Sequence, residues 1–204
     1  MNTFINGFLI ALNPTKGWQR IAADDSGLMK VLFLHTIVFA LIPAVGWYVG
    51  VTQRGWIVAE ETVRLTAESA LPMCTLFYLA MVAGVIFLGY MVSWMAGSYG
   101  SESGVASGVK LISYTASPFF LAGLLGFYPI LWLDIMVGTL IACYCVYLLY
   151  IGTSPMMKVP PERGFLYASA VFAVALVSFV ALLGATVVLW DFGPAPEYTY
   201  LLEG

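Results

Sequence analysis

Apolar positions in this chain do not alternate with polar ones. They gather in five long runs, Leu28–Val51, Leu71–Ala96, Val109–Phe127, Ile130–Gly152 and Gly164–Trp190. A hydrocarbon layer of ~30 Å needs about 20 helical residues to cross it, and each run meets that length within the usual range. The third is the most interrupted, carrying Lys110, Ser113, Tyr114, Thr115, Ser117 and Pro118. Only Tyr128 and Pro129 separate it from the fourth, which predicts a tight helical hairpin. The pattern predicts an all-α fold, a polytopic integral membrane bundle of five transmembrane helices. It divides the chain into an N-terminal segment (1–27), a five-helix domain (28–190) and a C-terminal tail (191–204).

The polar stretches carry weaker signals. Residues 1–12 read as a short apolar helix (Phe4, Ile5, Phe8, Leu9, Leu12) stopped by Asn13-Pro14. Ahead of the first span, such a helix is expected in the inner interface. Packing on the bundle is the other reading. It lacks a basic n-region, so it is not expected to be a cleaved signal. Asp24, Asp25 and Ser26 offer caps to the first span. Glu60 and Arg64, spaced i to i+4, predict a short surface helix in the connection 52–70.

Charge sets the expected direction. With the N-terminus inside, the inner segments hold Lys16, Arg20, Lys30, Lys110, Lys158 and Arg163, and the outer ones hold only Arg54 and Arg64. Excess Lys and Arg mark the cytoplasmic side, so the expectation is N-terminus in and C-terminus out. All six tryptophans then fall near an interface, where indoles concentrate: Trp18 and Trp94 inside, Trp47, Trp56, Trp132 and Trp190 outside.

Composition narrows the function classes. Charged residues are 9% of the chain and net charge is −3, which leaves no basic footprint for nucleic acid. No polar connection is long enough to hold an independent catalytic core. No nucleophile–base set appears, and the glycine-rich run 97–108 lacks the Gly-Lys-Ser/Thr ending of a phosphate loop. Cys143 and Cys145 point to nearly opposite sides of a helix, so they form no ligand pair. No metal, cofactor or catalytic site is expected.

A few residues remain as candidates for function or packing. Asp134 is the one carboxylate well inside a span, about 7 Å below the outer boundary, and an intramembrane acid is a functional candidate. Its position near a helix N-terminus also gives it a structural reading. His35, the sole histidine, lies about 10 Å inside the inner boundary. The two differ in depth by ~12 Å, too far for a direct hydrogen bond of about 3 Å. Gly100, Gly104 and Gly108 form a small-residue stripe at period four, continued back to Ala96, which predicts a close helix contact. Pro118 removes a helical hydrogen bond from the Tyr114 carbonyl and predicts a kink in the third span. Backbone groups freed there need partners, which Ser113, Thr115 and Ser117 can supply, so this stretch should face protein or a cavity.

Four stretches resemble the Ypt-interacting-protein (Yip) membrane family. They are Gly97-Ser-Tyr-Gly-Ser-Glu-Ser-Gly104 leading to Gly108, and Ser113-Tyr114-Thr-Ala-Ser-Pro118. The others are Tyr147-Leu-Leu-Tyr-Ile-Gly152 with Thr-Ser-Pro155-Met-Met-Lys158-Val-Pro160, and Pro14-Thr-Lys-Gly-Trp18-Gln-Arg-Ile21. The last is similar to the start of bacterial-type members. The resemblance implies a five-span bundle with a cytosolic N-terminus, in a bacterial inner membrane. Eukaryotic members join Rab-type GTPases through a long N-terminal region with an Asp-Leu-Tyr-Gly-Pro element. That element is absent here, so GTPase binding is not carried over. The expected role is non-enzymatic: a scaffold that organises membrane or binds partners, which are the lipid bilayer, a second copy or other membrane proteins. The alternative is a small channel or transporter using Asp134, His35 and the kinked third helix.

Overall fold

The structure, a computed structural model, describes residues 2–24, 26–58, 61–192 and 195–201, without the side chains of 2–4, 57–58, 61 and 200–201. Five helices are long and apolar enough to cross a membrane: α3 (Leu28–Arg54), α4 (Ala67–Tyr99), α5 (Val105–Phe127), α6 (Leu131–Met157) and α7 (Pro161–Trp190). Two short helices precede them, α1 (Asn2–Leu12) and α2 (Pro14–Ala22). Three strands complete the described chain: β1 (Trp56–Val58), β2 (Glu61–Leu65) and β3 (Tyr198–Leu201). The fold is an all-α membrane bundle with a small sheet at one end.

Local chemistry sets the boundaries. Asn13 ends α1 and caps α2, its side chain accepting from the Lys16 N–H, and Pro14 fills the first helical position. Thr66 caps α4 by accepting from the Ser69 N–H, with Glu68 in the first turn facing the positive helix end. Gly100 ends α4 in the left-handed region at φ 75°.

The third span is the centre of the bundle. Just over half of α5 is buried, 56% of its most apolar stretch, against 6% for α4 and α7. Its low hydropathy follows from this place, because its polar side chains face protein rather than lipid. The expected kink appears as a break at Ala116, where α5 stops and restarts with Pro118 in its new first turn. The final turn, Gly123–Phe127, tightens to a 3₁₀ helix.

Small residues bring α5 against its neighbours. A Cβ on Gly108 would stand 2.3 Å from the Gly89 carbonyl oxygen of α4, and one on Gly50 of α3 would stand 1.8 Å from that of Gly126. Such approach of backbones is how membrane helices gain packing without a hydrophobic drive.

Two sequence expectations are corrected. The stripe Gly100–Gly104–Gly108 is not one helical face. Gly100 is left-handed, Gly104 is extended at the start of α5, and a Cβ on Gly104 would meet nothing within 4 Å. The turn is fixed instead by the Ser101 hydroxyl, which donates to the Met157 carbonyl and ties the loops after α4 and α6 together. Gly108 alone of the three makes the expected helix contact, and its partner is Gly89.

The connection 52–70 is a β-hairpin and not a surface helix. Gly55 ends α3 at φ 77°, and β-branched and aromatic residues (Trp56, Ile57, Val58, Thr62, Val63) favour strands. Glu60, half of the expected pair, lies outside the described residues. The tail joins this hairpin: β2 pairs antiparallel with β1 and β3, with Trp56 opposite Val63 and Val63 opposite Tyr200. The end of the fifth span therefore returns to the start of the second.

Candidate functional site

A polar cluster sits where α1, α3 and α5 meet, and it begins with a wide turn. Residues Leu32–Thr36 of α3 form a π-helical turn, an element that recurs at functional positions. It turns His35 and its neighbour Thr36 toward the same helix. Both side chains have no solvent exposure.

Serines one helical turn apart on α5 receive them. His35 Nδ1 lies 2.9 Å from Ser113 Oγ, and Nε2 lies 3.0 Å from Ser117 Oγ. Ser113 Oγ is also 2.6 Å from Thr36 Oγ1. A neutral imidazole donates from one nitrogen and accepts at the other, and a serine hydroxyl can do either, so both tautomers are satisfied. Aromatic rings close two sides: Phe39 stacks on the imidazole at 4.4 Å between centroids, and Tyr114 lies tilted at 4.5 Å.

The remaining side is covered by α1. Gly7 faces the ring, and a Cβ there would stand 2.6 Å from His35 Nε2. Glycine is required for this approach. Ile10 is fully buried, Phe8 meets Phe39 at 5.3 Å, and the Tyr144 hydroxyl of α6 donates to the Ala11 carbonyl. The N-terminal helix is thus packed on the bundle down to the level of His35.

The sequence candidates divide accordingly. His35 and Tyr114 meet directly, and Pro118 is buried beside them, next to Ser117. Asp134 is elsewhere, in the first turn of α6 and half-buried, with Oδ1 enclosed and without a hydrogen-bond partner among the described residues. It is not among the groups that touch His35. Ser113 and Ser117 serve the imidazole, while Thr115 Oγ1 is buried without a partner among the described residues. Gly100 lies under the Arg163 guanidinium, which a Cβ there would approach to 2.4 Å. No group of three or more His, Cys, Asp or Glu residues suited to a metal occurs among the described residues. Sequence reasoning missed Gly7 and Thr36. The pairing of His35-Thr36 with the i, i+4 serines of the third span was the available signal.

Most of the five-span frame falls within one known family, since residues 8–182 match the family model for the Yip1 domain. The chain belongs to the Yip1 domain family. It is similar to the inner membrane protein YohC of Escherichia coli strain K12, 32% identical over 182 residues, which is 89% of this chain and 93% of the relative. The same protein of E. coli O6:H1 strain CFT073 is equally similar, 32% identical over the same 182 residues. No solved structure matches the chain. In this Yip1-domain chain the match begins at Phe8 and so takes in part of α1, Gln19 and the rest of α2, and all of α3 to α6. Every side chain that holds the imidazole lies inside it.

Proposed function

We propose that this Yip1-domain protein is a non-enzymatic scaffold of a bacterial inner membrane. Its N-terminus is cytoplasmic and its C-terminus outside, and it organises lipid or binds membrane partners through its helix faces. The observation that carries this reading is the closure of the His35 cluster. Transport of a polar species needs connected polar groups or water across the layer. Here the imidazole spends both nitrogens on two serines, is walled by Phe39, Tyr114 and Gly7, and does not join Asp134. A satisfied buried network of this kind fixes helix register instead. The name of the E. coli relative supports the inner-membrane location, and the six-to-two split of basic residues supports the direction.

The test is flux into proteoliposomes under imposed proton and potassium gradients, for wild type, Asp134→Asn and His35→Gln. The scaffold reading expects no specific flux from any of them. A wild-type flux abolished by either substitution would establish the channel or transporter reading in its place.

A further inference from the structure

The two short helices present an outward face, on which Phe8 also packs against Phe39 of the bundle. On α1, Gly7 and Ile10 point inward, while Ile5, Phe8 and Leu12 are exposed at 44%, 41% and 82%. Positions 5, 8 and 12 form one helical stripe. On α2, Gly17, Trp18 and Ile21 are buried, and Trp18 lies against Gly152 of α6. The exposed face of α2 carries Lys16, Gln19 and Arg20.

The outward surface is therefore apolar along α1 and cationic immediately after it. Leu12 and Lys16 are four residues apart across the non-helical Asn13, and α2 packs back on α1 with Gly17 against Ile10. Among the described residues neither Lys16 nor Arg20 forms an ion pair. The nearest described acid in sequence is occupied: the Asp24 carboxylate accepts from the Ser26 N–H at 3.0 Å and the Ser26 hydroxyl at 3.1 Å. The order along α6 matches: Tyr144 meets Ala11 of α1, and Gly152, eight residues nearer the end of α6, meets Trp18 of α2.

We infer that the outward face of α1–α2 binds an anionic phospholipid, with an acyl chain along Ile5, Phe8 and Leu12 and the phosphate at Lys16 and Arg20. Apolar stripe and paired cations complement the two parts of one lipid molecule. Zwitterionic lipids offer the same chain with a phosphate already neutralised by its own headgroup amine. The surface is independent of the scaffold reading, since it holds for a transporter equally.

The experiment is native mass spectrometry of the purified full-length chain, titrated with phosphatidylglycerol or phosphatidylcholine. Phosphatidylglycerol is expected to bind more tightly. Lys16→Gln with Arg20→Gln is expected to lower its affinity about 30-fold, the combined effect of two cations near an anionic surface. Leu12→Ser should weaken both lipids. Arg54→Gln, at the opposite end of the bundle beside the hairpin, should leave binding unchanged. All these side chains are exposed, so the fold does not depend on them. Equal retention of the two lipids, or full retention by the Lys16/Arg20 variant, would overturn the assignment. So would competition by soluble glycerol phosphate as effective as by the whole lipid, because the acyl stripe would then have no part.

Discussion

At the scale of single residues, His35 and Gly7 carry the most structure. The imidazole joins α3 to both halves of the broken α5. Substituting His35 by Ala leaves Ser113 to bond Thr36 and strips Ser117 of its partner. Hydrogen bonds between membrane helices average about 0.6 kcal/mol and reach about 1.7. With the lost ring packing on Phe39 and Tyr114, His35→Ala is expected to cost about 2–3 kcal/mol. Reversible unfolding in mixed micelles measures this, and a cost near zero would remove the cluster as a stabilising element. Gly7→Leu tests the covering helix separately. Overpacking costs about 1–3 kcal/mol, but undocking of α1 relieves it. The expected outcome is raised amide hydrogen exchange confined to α1, with α2 and the spans unchanged.

Elements were legible in proportion to how far their own residues decide them. The five spans were plain, because crossing a bilayer needs only apolar length, and their observed bounds differ by a few residues at the ends. The break in α5 followed from Pro118. The hairpin did not, since Glu60 and Arg64 read as well on a helix, and the pairing of β2 with β3 depends on a segment more than 130 residues away. The glycine stripe misled for a related reason. Spacing by four is shared by a helical face and by a left-handed turn followed by an extended stretch, and only the Ser101–Met157 tie chooses between them. The two cases separate by experiment. Gly108→Leu pushes into the Gly89 backbone and should lower stability by about 1–3 kcal/mol, whereas Gly104→Leu enters open space and should leave the melting temperature unchanged. Equal effects would return the stripe to one helix.

For the whole molecule, the proposed topology of five crossings puts the two ends of the chain on opposite sides. The sheet agrees with this, because β3, after the fifth span, pairs with β2, which follows the first. Lys110 Nζ, donating to the Asp24 carbonyl at 2.9 Å, and the Ser101–Met157 tie hold the opposite end together. Reporters active on one side only, fused after Gly204 and within the Pro155–Glu162 loop, are expected in opposite compartments. Of the candidate site, His35 and Tyr114 were visible in the sequence as unusual residues in an apolar run. Their meeting was not, because it needs the π-helical turn in α3 and the approach of Gly7, neither of which has a local signature. His35, Thr36, Ser113 and Ser117 have no exposed surface, so the polar cluster is expected to be sealed from water. Thiol labelling tests it most directly, with Cys74, Cys143 and Cys145 replaced by Ala and a single cysteine placed at Ser113. A small hydrophilic thiol reagent, applied from either side of intact vesicles, is expected to leave that cysteine unmodified until the protein is unfolded, while a control cysteine at Ser103 reacts. Labelling of the folded Ser113→Cys protein at a rate comparable to the control would contradict a sealed cluster and establish a water path to His35.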